Sequence, residues 1–251
     1  MIPLVAVVAA VALWWYVDDS AARTQSQARA AVAEAADELS AVAERLSVDL
    51  AQLPDVVADP RRRAALVTGT AGLDAAARRL FDAAAALPAD LDDPDRVRLR
   101  ASELARRSFA AATDITETFA VAAALTPLEE RPDLPPSVPP EAVPDLAAEV
   151  AWWITRVDGT APDLPTTPRW RRLGDALGGL SARLDTFQED YLGAVRDGDP
   201  ERAAAVVASL DQATLEVVAV LDAVLADVGV ETSVELAEIA RLSGDLAQGP
   251  R

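Results

Sequence analysis

The side chains able to do chemistry in this chain are almost all carboxylates. Asp and Glu together number 41 against 23 basic residues, every one of them Arg, and there is no His and no Cys. Without His or Cys there is no Ser-His-Asp or Cys-His catalysis, and the usual ligands of zinc, copper, haem and iron–sulfur centres are missing. Without Lys there is no Schiff base and no phosphate-loop lysine. Neither G-x-G-x-x-G nor a nucleophile elbow occurs. What remains is acid–base work by paired carboxylates, or capture of a hard cation.

Two acidic clusters invite that reading. Asp197-Gly198-Asp199-Pro200-Glu201 lacks the twelve-residue ligand spacing of a calcium loop. Gly198 suits the position just past a helix end, Asp199 an N-cap, Pro200 a first helical position and Glu201 the positive end of the helix dipole. Asp92, Asp93 and Asp95 around Pro94 have the same capping reading. A di-metal bundle site needs inward carboxylates with Glu-x-x-His pairs, and the apolar seams carry neither. A carboxylate-only glycosidase is conceivable, but no aromatic sugar platform accompanies the acids. The expectation is therefore no catalytic, cofactor-binding or metal-binding residue and no cofactor.

The other residues that stand out are cationic and aromatic. Arg61, Arg62 and Arg63 crowd a helix start, where cations oppose the dipole, so an acidic surface of the same chain is their expected neighbour. Arg96, Arg98, Arg100, Arg106 and Arg107 read as a solvated or internally paired face. Trp152 and Trp153 are adjacent on a helix and point about 100° apart. A helix wedged between a Pro-rich strap and the bundle could bury both. Otherwise Trp152 and Trp153 are the candidate partner-binding residues, Trp being a frequent interface anchor.

The elements that must position these residues are helical throughout. Apolar residues recur in steps of three and four. One seam, over about 20–53, runs from Ala28 through Leu39 and Leu46 to Leu53, with Pro54 ending it. A second opens at Asp59-Pro60 and carries Leu66, Leu73 and Leu80, weakened by Gly69 and Gly72. A third opens at Asp93-Pro94, with Ser108 and Thr118 filling two gaps in its stripe. A fourth runs from near Pro168 to Gly198. A fifth, from Asp199-Pro200, is expected to end at Gly229, with a shorter helix over 233–247. The five long segments have matched expected lengths, roughly 43–51 Å. Ten of the 17 prolines lie between Pro127 and Pro168, so residues 126–144 read as a polyproline-like strap, followed by a short helix from Asp145 to Val157. The fold class predicted is all-α: an antiparallel bundle of long helices with a Pro-rich crossover, preceded by an N-terminal membrane-anchor helix. Three long helices occupy 20–125. The short helix, the helical hairpin and the C-terminal helix occupy 145–251 and pack with them as one bundle, a coiled-coil-like arrangement.

The anchor is residues 1–19. Ile2 to Val17 are free of charge, and Asp18-Asp19 follow at once. As a helix the run covers roughly 24 Å, short of the roughly 30 Å hydrocarbon core but within reach of local thinning. Trp14, Trp15 and Tyr16 cluster at its charged end as membrane-interface residues. A cleaved leader is the rival reading; it lacks a basic n-region and carries bulky aromatics where the cleavage end should be small. Arg23 and Arg29 place the following domain in the cytoplasm by a strict positive-inside count. Short N-terminal anchors usually display their domain outside, and that is the sidedness expected here.

The charge of −18 argues against nucleic-acid binding, which needs a basic footprint. The leading functional expectation is a non-catalytic, single-pass, membrane-anchored helical bundle, an interaction or scaffold protein of the cell envelope. Its partners are membrane lipid through the N-terminal segment and a protein, with homo-oligomerisation open because the first seam can pair with its own copy. The alternatives are an extracytoplasmic ligand-binding sensory module signalling through a separate chain, and an enzyme working with carboxylates alone.

Overall fold

The computed structural model describes residues 2–89, 91, 93–160, 164–165 and 167–248, leaving aside the side chains of 2–19 and 21. Helix dominates and there is no strand among the described residues. In order, the helices are α1 (Ile2–Leu50), α2 (Leu53–Ala58), α3 (Pro60–Ala85), α4 (Pro94–Ala124), the single turn α5 (Thr126–Glu129), α6 (Val143–Asp158), α7 (Arg171–Arg196) and α8 (Pro200–Ala247). Short 3₁₀ turns at Pro140–Ala142 and Pro168–Trp170 lead into α6 and α7.

Several local expectations hold. Asp59 caps α3, its carboxylate accepting from the amides of Arg61 and Arg62 with Pro60 at the first position. Asp199 caps α8 by accepting from the Arg202 amide at 3.0 Å. Three features differ. First, α8 runs for 48 residues while α3 and α7 have 26 each, so the lengths are not matched, and α1 continues without a break from the N-terminal segment to Leu50. Second, Pro54 does not simply end a helix; α1 stops at Leu50 and Pro54 sits in the first turn of α2. Third, Gly229 does not end the fifth helix, and the separate helix over 233–247 is the continuation of α8. One interior Gly costs only about 1 kcal/mol relative to Ala. The buried seam stays in phase across it, through Val224, Val228, Thr232, Leu236 and Ile239, and no Pro follows until Pro250.

The chain forms two compact units. One comprises Met1–Ala51, Asp59–Ile115 and Glu231–Arg251; the other comprises Gln52–Ala58 and Thr116–Val230. The divisions in α4 and α8 fall inside helices, and the Pro-rich segment lies wholly within the second unit.

The first unit packs small residues. Ala36, Leu39, Ala43 and Leu46 of α1 are buried with Leu73, Ala76, Ala77 and Leu80 of α3, Ala101, Leu104 and Ala105 of α4, and Leu236 and Ile239 of α8. Helices α1 and α3 are antiparallel: Leu46 meets Gly69, Val42 meets Gly72, and Glu38 receives a two-pronged hydrogen bond from Arg79 at 2.6 and 2.7 Å. A Cβ at position 69 would lie 2.7 Å from Leu46 Cδ2. Gly69 is thus a close-approach residue in this seam, and not merely a weak point in α3.

The second unit packs large residues. Trp153 of α6, Trp170, and Phe187 and Tyr191 of α7 are all buried there, with the last two rings stacked 5.4 Å apart. Helices α7 and α8 form an antiparallel hairpin, joined by Arg183 donating to the Ser209 carbonyl and by Arg202 facing Asp190. The strap is irregular from Arg131 to Pro139. Pro139 has polyproline-like angles of −59° and 144°. Leu134 is buried, and Arg131 pairs with Asp211 of α8.

Candidate functional site

The acidic clusters resolve into helix punctuation where they are described. At the α7–α8 junction Gly198 has φ +68°. The Gly198 amide donates to the Val195 carbonyl and the Asp199 amide to the Ala194 carbonyl, the two bonds of a Schellman ending. Asp199 spends its carboxylate on the cap and Asp197 lies 3.6 Å from Arg202. Asp93 has φ +53°, a left-handed conformation that Asp tolerates better than most residues. Its carboxylate faces Arg96 at 3.8 Å, and Asp95 pairs with Arg98. Asp92 lies outside the described residues. Among the described residues no group of three or more acidic side chains could hold a metal ion.

The arginine face of α4 is largely paired internally. In the first unit Arg107 donates two hydrogen bonds to Glu235 of α8 at 2.6 and 2.8 Å. That contact holds the Glu235 carboxyl below its ordinary value and raises Arg107, burial opposing both. Arg106 engages Glu103 one turn earlier, lowering that carboxyl too. Arg98 also reaches the Leu87 carbonyl. Arg100 has no ion-pair partner among the described residues.

The tryptophan pair splits. Trp153 is fully buried, and its indole N–H donates to the Pro127 carbonyl at 2.8 Å. Trp152 is 56% exposed, with the Arg156 guanidinium 4.7 Å from its ring centre. Such stacking contributes about 0.5–1 kcal/mol at an exposed site. Trp153 therefore belongs to the core, and Trp152 stays at the surface. Trp14, Trp15 and Tyr16 lie outside the residues whose side chains are described. Among the described residues no helix is long and apolar enough to cross a membrane.

A feature absent from the sequence reading is a cavity of about 530 Å³ in the first unit. Among the described residues, three separate parts of the chain line it: Arg29 to Ala33 of α1, Leu87 and Leu91 with the first turns of α4 as far as Arg100, and Asp245 to Gln248 at the end of α8. Its apolar wall includes Val32, Leu87, Leu91, Val97 and Leu246, and its rim holds Arg29, Arg96 and Arg100 beside Asp93 and Asp245. The one local hint was the pair Arg96 and Arg100, a helical turn apart. The wall could not be read locally, because its pieces are far apart in sequence.

No family model, curated protein or solved structure matches the chain.

Proposed function

We propose that this protein is a non-catalytic, membrane-tethered helical bundle that works by contact at the cell envelope, with the Pro-rich strap as a crossover of that bundle. The observation that carries the reading is α1 itself. A single helix runs from Ile2 to Leu50, with no Gly or Pro after Pro3, so the uncharged segment and the buried α1 seam are parts of one rod. Trp14, Trp15 and Tyr16 would sit at the headgroup layer, and the domain that follows would be extracytoplasmic. Trp152 is the favoured contact residue for a protein partner.

The test is fractionation of the full chain. The native sequence should sediment with membranes and resist carbonate extraction, while Val8→Arg, which places a charge in mid-segment at a cost of about 2.5–3.5 kcal/mol, should release it. Native protein recovered without detergent from the soluble fraction would overturn the tether. Protease added to intact cells reads the sidedness. Trp152→Ala should weaken partner capture without changing the helical circular dichroism.

A second reading, a ligand-binding sensory module that signals through a separate chain, is favoured by one observation, the cavity of the first unit.

A further inference from the structure

We propose that the cavity of the first unit binds an anionic single-chain amphiphile, a carboxylate- or phosphate-headed ligand with one apolar tail. The inference deepens the ligand-binding reading and does not rest on the membrane tether. Its volume, about 530 Å³, falls within the span of small-molecule sites. Val32, Leu87 and Leu91 on its wall are each less than a tenth exposed, and such a dry surface suits a hydrocarbon chain.

The rim specifies the head. A chain of net charge −18 repels anions in general, yet three arginines surround this one opening. Of the acids described on this rim, Asp93 faces Arg96 at 3.8 Å and Asp245 is held by Arg241 at 2.9 Å. Arg100 stands on the rim with no ion-pair partner among the described residues, its fork available for two parallel bonds to a carboxylate or phosphate. The first turn of α4 adds the positive end of a helix dipole to the same rim. A cationic head would meet the arginines, and a neutral head would forgo the charge-assisted bonds that Arg100 can donate.

Calorimetry on the full chain tests this, in plain buffer if the chain is recovered without detergent and otherwise in nanodiscs of neutral lipid, with octanoate, octanol and octyltrimethylammonium as probes of one tail and three heads, each corrected for the protein-free medium. Octanoate should saturate a single site and the cationic probe should not. Arg100→Gln, an exposed change that leaves the wall intact, should weaken octanoate roughly tenfold, the value of a charge-assisted contact. Ala33→Trp, which fills the cavity, should abolish saturation while the circular dichroism is kept. Mass spectrometry of organic extracts from protein purified out of native membranes separates the sources: a bound single-chain anionic lipid, lost in Ala33→Trp, points to the bilayer, and a clean extract with a saturable octanoate site points to a ligand from solution. Equal binding of octanol and octanoate would overturn the anionic specificity while sparing a ligand-binding role. Absence of saturable binding, or indifference to Arg100→Gln, would overturn the proposal, and neither result bears on fractionation of the tether.

Discussion

The two units solve the same packing problem with partly different materials. In the first, the described core is mostly Ala and Leu with no buried aromatic ring, and a Gly lets Leu46 of one helix press against the backbone of the next. In the second, two Trp, a Phe and a Tyr are buried among Leu and Val. Small residues let helices approach closely and suit long rods lying side by side. Large rings fill space around a segment that is not helical and carry polar edges that can hold it. Trp153 donates to the Pro127 carbonyl and Tyr191 to the Pro135 carbonyl, both at 2.8 Å. The strap, rich in proline and so poor in amide donors, is thus held partly through its carbonyls by aromatic donors.

The contrast can be broken from the aromatic side first. Trp153→Ala removes a fully buried ring and orphans the Pro127 carbonyl, and should cost about 3–5 kcal/mol. Hydrogen exchange should rise most across 127–157, and unaltered exchange there would deny the ring its bracing role. Gly69→Val attacks the small-residue seam. Overpacking against the buried Leu46 should cost about 1–3 kcal/mol, and pairing it with Leu46→Ala should recover part of the loss in urea denaturation. A fully additive double variant would show that the close approach does not matter.

Tyr191→Phe sharpens the comparison by keeping the ring and deleting its donor, for about 1 kcal/mol. Burial, with a smaller push from Asp133, raises the Tyr191 hydroxyl above its ordinary 10.0. The unfolded chain would ionise first, so stability should fall as pH climbs past that value in the native protein and less so in Tyr191→Phe.

The smallest effect belongs to the ion pair of the first unit. Arg107 holds Glu235 below its ordinary 4.5. The contribution is present above that value and fades as pH falls through the lower folded one. The pair is partly exposed, at 22% and 38%, so about 1 kcal/mol is its ceiling. The stability gap between native protein and Glu235→Gln should hold above the ordinary carboxyl value of 4.5 and narrow as pH falls below it. A constant gap would remove the pair from the account.

Much of this architecture was legible before any coordinates. Asp59-Pro60 and Gly198-Asp199-Pro200 announce helix boundaries because caps depend on a few neighbouring residues. The stripe of the fourth helix, Leu173 to Tyr191, is buried as its spacing requires. Gly229 misled because a glycine is a local signal and the seam that overrode it is longer. Gly69 misled because its reason for being Gly lies on another helix.

The order of residues alone determined an all-helical chain, its starts and stops at Asp-Pro, its non-helical stretch and its lack of common catalytic side chains, since each follows from periodicity, ring geometry or composition. Tertiary structure decided that Trp153 turns inward while Trp152 faces solvent, that α8 runs unbroken through Gly229, that the chain divides within helices, and that three distant segments enclose a cavity rimmed with arginine. Those outcomes depend on which surfaces meet, and the free energy of such contacts is set by partners far away along the chain.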